Sequence, residues 1–547
     1  MGVLSRAPAA RFATATFATA ATTLATAAAA LAIGATGLGC GPGVQPIHPL
    51  PGAGTARLQP IYDVVATYPD TTIIVVGLPY RGLDVEMEMT FDDATLRDDE
   101  ESFEARARIV SVLAGGVPQA FEAPQPMAIR GTLAGGVVAT GLFGPIHVGN
   151  AALLLDLTGP LQDGSRRFAG GATLYGIPDP GTFVAVKRRR YLVAGTDMQG
   201  PIGKVAVVQV RYDSRITLET DLEVTSSDPI ARVEDGRPII VNRFTFDNLQ
   251  GLDPHGSFTT IFEHSTGILS NPHDLVVLPP DAPGAGGSST TVEDAGLAFV
   301  TRYGAAFNDV AVVDLGDGAV IDRIDLTPYA ANSDRLPRAD QALLHDGLIY
   351  VTLQDANASF SEFKSGRLAV IDPVSRRVVD VIDLSGQNPF ESLSYSGATG
   401  LIYVGLAGLF PGIASRVPVL SGGIETVDPI TRAARGLLVD DDTLGGNVSA
   451  VAVHSASRGY CVVSDASFHN YVKAFDPTTG EVLGTIFDSP GQIATIEVDG
   501  DGLLLVADTS FFDPRILIFN AENGAPVAAL PARLPPFSFA ILTRSLP

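Results

Sequence analysis

Seven polar positions recur along the C-terminal part of the chain, each at the start of a short apolar run: Asp228, His273 with Asp274, Asp340, Glu391, Asn447, Gln492 and Ser538. They stand out in a sequence that is 46% apolar. Four are carboxylates, Asp228, Asp274, Asp340 and Glu391. Brought to one point they would offer oxygens to a divalent cation such as Ca²⁺, which takes about six to eight of them. The competing reading is a wet opening that tolerates any polar residue. His273 adjoins a carboxylate and has the chemistry of a general base. Arg243 and Arg302 end related apolar runs, beside Asn242 and in line with Asp355, Asp465 and Asp508. Two guanidinium forks can clamp a carboxylate ligand. Alternatively they pair with Asp228 and Asp274, because a desolvated charge seeks a partner.

Other chemistry is not written in the chain. The eight histidines show no close pair with zinc-ligand spacing. There is no Gly-x-Ser-x-Gly elbow, no phosphate-binding loop, no Cys-x-x-Cys and no haem-attachment motif. The acidic stretch from Asp92 to Glu104 reads as a Ca²⁺ loop or as a solvated charge run. The formal net charge of -24 repels phosphate backbones and excludes nucleic acid as a partner. Cys40 and Cys461 are the two cysteines, so a disulfide framework is excluded unless they pair. Cys461, in an apolar strand, reads as a buried small hydrophobe.

Residues 1–40 read as an export signal: Arg6 and Arg11, an Ala/Thr-rich weakly apolar stretch, then small residues ending Gly37-Leu38-Gly39-Cys40. That ending resembles a bacterial lipobox, with the leucine two positions before the cysteine instead of three, and implies lipidation of Cys40. Residues 41–57 are Pro/Gly-rich and read as a tether. Gly41 after the cysteine implies the outer membrane or cell surface, reached by a lipid anchor and not by a membrane span. A soluble periplasmic or secreted protein is the alternative.

The elements that must position the polar residues are strands. An alternating strand, an Asp-Pro turn and a second alternating strand recur, as in "VIDPVSRRVVDVIDL" and "AFDPTTGEVLGTIF". The turn residue or its substitute falls at Gln209, Asp253, Asp314, Asp372, Asp428, Asp476 and Asn520. An apolar marker strand precedes each, centred on Val193, Val241, Val300, Val351, Val404, Val463 and Val506. Seven four-stranded units predict a seven-bladed β-propeller over residues 186–547, with 537–542 supplying the innermost strand of the first blade and closing the ring. Residues 58–185 share no repeat with the rest and read as a small β-sandwich or barrel. The fold class is therefore all-β.

Tyr350-Val351-Thr352 and Val370-Ile371-Asp372-Pro373, with Phe475-Asp476-Pro477-Thr478-Thr479-Gly480, resemble the YVTN-type β-propeller repeats of microbial envelopes, to which lactonase-like propellers are similar. The fourth marker residue, usually Asn in that family, is here Arg243, Arg302, Leu353 or Leu406. The resemblance implies a fold and not a function. Three readings follow: an envelope scaffold binding a protein, glycan or small molecule; a metal-assisted hydrolase or lactonase at the channel mouth; or a structural surface or adhesion component.

Overall fold

The computed structural model describes residues 61–542 apart from short internal stretches, the longest being 92–102 and 279–295. The expected signal, Cys40, the tether and most of the acidic stretch lie outside the described residues. The described chain is all-β. Its helices are one 3-10 turn, Thr327–Tyr329, and one short α-helix, Asp441–Leu444. Among the described residues no helix is long and apolar enough to cross a membrane.

The N-terminal region is a barrel, which settles the choice between sandwich and barrel. Eight antiparallel strands run in the order Leu78–Phe91, Ile61–Val75, Gly181–Lys187, Arg167–Leu174, Leu155–Gln162, Val137–Phe143, Met127–Ala134 and Phe103–Ala114. The last pairs with the first, Met89 opposite Ala107, and shuts the sheet. Alternate residues point inward, and eight strands leave an interior that side chains alone can fill. Tyr62, Val64, Met87, Met89, Phe168 and Phe183 fill it, with Phe168 edge-on to Tyr62 at 4.9 Å. Gly159 and Gly170 face each other across two strands so closely that a Cβ on Gly170 would lie 2.0 Å from the Thr158 carbonyl oxygen. Only glycine lets the strands close there.

The rest forms seven antiparallel sheets. Sheet I pairs Ile216–Glu219, Ile202–Val210, Arg189–Thr196 and the C-terminal strand Pro536–Ile541, with Val224–Ser226 added alongside. Sheets II to VII follow in chain order, four consecutive strands each, and begin with Pro229–Glu234, Pro272–Leu278, Ala339–His345, Pro389–Ser396, Asn447–Ser455 and Ile493–Val498. These first strands are buried almost throughout, whereas fourth strands such as Thr260–Ser265 and Pro526–Pro531 alternate toward solvent. Each first strand touches the next, and Ile493–Val498 and Pro229–Glu234 both touch Pro536–Ile541. Successive sheets share apolar layers, for example Val351 and Ile371 of sheet IV with Val276 and Phe299 of sheet III.

The repeated turn residue has a physical role. Asp428 accepts from the Ile430 and Thr431 amides, Asp476 from those of Thr478 and Thr479, and Asn520 from those of Glu522 and Asn523. Each is an Asx turn closing the outer hairpin. Sheet I departs from the expected alignment. Gln209 lies within a strand and donates to Glu219 across the pair instead of turning the chain. The marker tyrosine is tied to the same turns. Tyr350 donates to the Pro429 carbonyl at 3.2 Å, Tyr403 to that of Pro477 at 3.1 Å, and Tyr460 to that of Ala521 at 2.8 Å. The second strands of sheets IV, V and VI are thus each stitched to the residue after the next sheet's turn residue.

The chain passes from barrel to sheet I through Lys187-Arg188-Arg189-Arg190. Buried Arg188 pairs with Asp63 and Glu88 of the barrel and reaches Gln209 of sheet I at 3.3 Å. Lys187 pairs with Asp501 of sheet VII at 3.2 Å. In a strongly acidic chain this basic run is an internal clasp.

Candidate functional site

The recurring polar residues sit at the heads of the first strands. Asp228 precedes the sheet II strand, His273 and Asp274 open that of sheet III, Asp340 that of sheet IV, Glu391 that of sheet V, Asn447 that of sheet VI, and Ser538 lies in the closing strand. All of these are buried, while Gln492, before sheet VII, is half-buried. The pairing slips at the head of each of these strands except that of sheet II: at Pro272/Asp274, Ala339/Ala342, Pro389/Leu393, Val448/Ala450, Ile493/Ile496 and opposite Ala194/Gly195. Such bulges re-aim side chains that a regular strand would send into the intersheet layers. Glu391 even takes a φ of 51°, rare for a residue with a side chain.

The re-aimed residues form one hydrogen-bonded charge network. The Arg243 guanidinium, wholly buried, donates to Asp228 at 2.6 Å and to Glu391 at 2.9 Å, linking sheet II to sheet V. The Glu391 amide donates to Asp340 Oδ2 at 2.7 Å. Gln354 donates to the same oxygen at 3.1 Å, and His273 Nδ1 lies 2.8 Å from Asp340 Oδ1. Asn271 uses its Oδ1 to accept from the Phe244 amide, so its Nδ2 faces His273 Nε2 at 3.1 Å. Nε2 is therefore the acceptor and Nδ1 carries the proton given to Asp340. The ring stacks on Tyr303 at 4.0 Å, and the Tyr303 hydroxyl donates to Gln354 at 2.6 Å. A second branch joins Arg232 to Asp274 at 2.5 Å and to Gln341 at 3.0 Å.

Burial and partners set the protonation states. Burial lowers the His273 pKa, and Arg243 adds to this against the pull of Asp340, so the imidazole is neutral. Burial alone would raise Asp340, but the hydrogen bond from His273, the Glu391 amide and Arg243 together hold it below the usual carboxylate range. Glu391 goes the other way: burial outweighs Arg243 and, with Asp340 and Asp228 nearby, pushes it well up. Asp274 is also raised, by burial, in spite of Arg232. Arg243 is held charged, because Asp228 and Glu391 outweigh its burial.

Two expectations are corrected by this geometry. Asp228, Asp274, Asp340 and Glu391 do not converge as a four-carboxylate metal site, because Arg243, Arg232 and His273 stand between them as partners. Among the described residues the three-carboxylate cluster is instead Asp440, Asp441 and Asp442, in the first turn of the short helix. Nor do Arg243 and Arg302 form a clamp. Arg302 is spent on both oxygens of Asp309, on the Thr266 carbonyl and on the Phe307 ring at 4.3 Å. Its partner is Asp309 and not Asp274.

The remaining candidates are held by local hydrogen bonds. Asn447 holds the Ala407 carbonyl at 2.6 Å, Gln492 accepts at its carbonyl from Thr509, and Ser538 accepts from the Ala231 amide at 2.7 Å. Asp355 gathers the amides of Ala331 and Asn332 together with Arg367. Asp465 accepts from the Ser467 and His469 amides, Asp508 pairs with Arg515, and Asn242 bonds Asn248 and Gln250. Burial pushes the Cys461 thiol up to about 12, which leaves it inert. Residues the sequence reading missed are Arg232, Gln341, Gln354, Tyr303 and Asn271. Arg232 alone carried a signal: a charge inside the otherwise buried run "PIARVE".

Above the network the surface changes character. Two loops, Arg243–Asp247 and Thr266–Asn271, are locked together by buried Asp247, which accepts from the Leu269 and Asn271 amides at 2.8 Å. Phe244, Thr245, Asp247, Leu269 and Asn271 all have positive φ. The locked loops hold Phe244, Phe246, Ile268 and Leu269 out in solvent, Ile268 at 84% exposure. A cavity between sheets I and VII, lined by Val193, Ile516, Ala532 and Pro536, has a volume of about 20 Å³, room for a single water. No family model and no curated protein sequence matches this chain.

Proposed function

We propose that the seven sheets form a seven-bladed β-propeller of the YVTN-like kind, and that the protein is an exported, lipid-anchored envelope scaffold that binds a protein, glycan or small molecule. The cyclic contact of first strands and the return of the C-terminal strand to sheet I support the propeller. The observation that carries the binding reading is the pair of locked loops. They keep four large apolar side chains exposed, with backbone conformations that L-residues seldom adopt. Such strain is found where function requires a surface to be preset.

The hydrolase reading draws less support from the same site. A general base at His273 needs a free ring nitrogen facing substrate. Here Nε2 is engaged by Asn271 and the ring is buried beneath Tyr303. The test is to probe immobilised full-chain protein with a glycan array and with purified envelope fractions, comparing wild type with Ile268→Ser/Leu269→Ser. Saturable binding that the double variant loses, with its circular dichroism unchanged, supports the scaffold. Lactone turnover abolished by His273→Asn would overturn it. A Cys40→Ala protein still found in the membrane fraction would remove the lipid anchor.

A further inference from the structure

The charge network does not balance. Asp228, Asp274, Asp340 and Glu391 are all buried, and the guanidiniums bonded to them are Arg232 and Arg243. With His273 neutral, full ionisation of the four carboxylates would leave two negative charges in excess, and burial with the nearby Asp340 and Asp228 raises Glu391 accordingly. Arg338, also buried, is directed at the Tyr303 and Phe360 rings and at the Tyr303 carbonyl. Counting it still leaves the cluster negative. A buried uncompensated charge is unfavourable enough that it draws in a cation or a proton.

The unpartnered atoms show where. Glu391 Oε2, Asn388 Oδ1 and Asn447 Oδ1 are buried and have no hydrogen-bond partner. All three are acceptors, because the amide nitrogens are committed: Asn388 donates to the Gly408 carbonyl at 2.9 Å and Asn447 to the Ala407 carbonyl at 2.6 Å. The two asparagines thus grip consecutive carbonyls of one loop, at the heads of adjacent first strands. A Cβ on Gly408, which has a φ of 59°, would lie 3.3 Å from Asn447 Nδ2, so the loop is drawn close. Glu391 follows Asn388 across the bulge at Pro389/Leu393. One carboxylate oxygen and two amide oxygens, with no sulfur or imidazole, make a hard-ligand set.

We propose that Glu391, with the side-chain oxygens of Asn388 and Asn447, holds a hard oxygen-ligated cation of the Ca²⁺ class at the heads of sheets V and VI. This site is distinct from the four-carboxylate ring excluded above and is independent of what the outer loops bind. The cation supplies the charge that the network lacks and locks sheets V and VI together.

The test is metal analysis by mass spectrometry on full-chain protein, with thermal melting in CaCl₂ and in EDTA. Wild type is expected to carry stoichiometric Ca²⁺ and to melt lower in EDTA, with full recovery on adding CaCl₂. Glu391→Gln keeps an acceptor for Arg243 but removes the charge, and Asn447→Ala removes one oxygen. Both are expected to lose the ion and the chelator response while keeping their circular dichroism. If either fails to fold, Asn388→Ser provides the same readout. A metal-free wild type whose melting ignores CaCl₂ overturns the proposal, including the case in which a proton on Glu391 supplies the balance. Retention of the ion by all three variants, with loss on Asp440→Asn/Asp442→Asn, also overturns it.

Discussion

The barrel and the seven-sheet ring solve the same problem differently. In the barrel every strand pairs on both sides, and its inward faces are filled by Tyr62, Met87, Phe168 and their apolar neighbours. In the ring the apolar side chains are used between the sheets, and the heads of the first strands are left to Asp228, His273, Asp340, Glu391 and Arg243. The barrel interior is filled without charge, and its buried ion pairs, Arg188 with Asp63 and Glu88, lie at the clasp. At the heads of the first strands the backbone is bulged and buried polar side chains link one sheet to another. The ring is therefore where ligand chemistry is to be sought, and the barrel interior is where packing rules apply.

That contrast can be broken by substitution. Arg243→Ala should cost most, about 5 kcal/mol by urea unfolding, since it leaves Asp228 and Glu391 buried without their shared partner. Phe168→Ala should cost about 4 kcal/mol for a different reason, a cavity in the barrel. A loss under about 1 kcal/mol for Arg243→Ala would mean that the ring is wetter than the geometry implies. Arg188→Ala should cost about 3 kcal/mol and split the melting of barrel and ring into two calorimetric transitions, because it opens the clasp. A single unchanged transition would show the two regions joined by other means. Tyr403→Phe should cost about 1 kcal/mol, with Tyr350→Phe and Tyr460→Phe similar and additive, each removing one stitch to the next sheet.

The smallest effect is a slope with pH. The folded-state pKa of His273 is depressed, so the unfolded chain takes up its proton first as pH falls below about 6.5. Stability from this group is present above that value and is lost on acidification. Asp340, also depressed, adds a further loss at lower pH. Glu391, raised, opposes them: its contribution is present in acid and is lost as pH rises through its folded value. His273→Gln should flatten the stability profile below about pH 6.5, with Asp340, Arg243 and Asp228 unchanged around it. An unaltered profile would show that His273 binds its proton equally well in the folded and unfolded chains.

The all-β class was legible because alternation and turn residues are local. So was the turn itself: Asp428 and Asp476 act on amides two and three residues on. The tyrosine stitch was present in the text as two motifs that recur together, but their contact was not. The network's heads were legible as polar residues opening apolar runs, and their partners were not. Arg243 and Glu391 are 148 residues apart, and the Glu391 backbone sits in a bulge that no local pattern announces. Reading four carboxylates as one metal site failed for the same reason, since Arg232 enters from a strand whose inward direction depends on register and Arg243 from the turn that follows the next strand.

The most direct test of a shared buried network is a double-mutant cycle on Arg243 and Glu391, using Arg243→Met and Glu391→Gln with stability read by urea unfolding. A coupling of about 2–3 kcal/mol is expected for a wholly desolvated pair at 2.9 Å. Costs that simply add, with coupling under about 0.5 kcal/mol, would mean that sheets II and V do not meet through these side chains, and the account of the ring would fall.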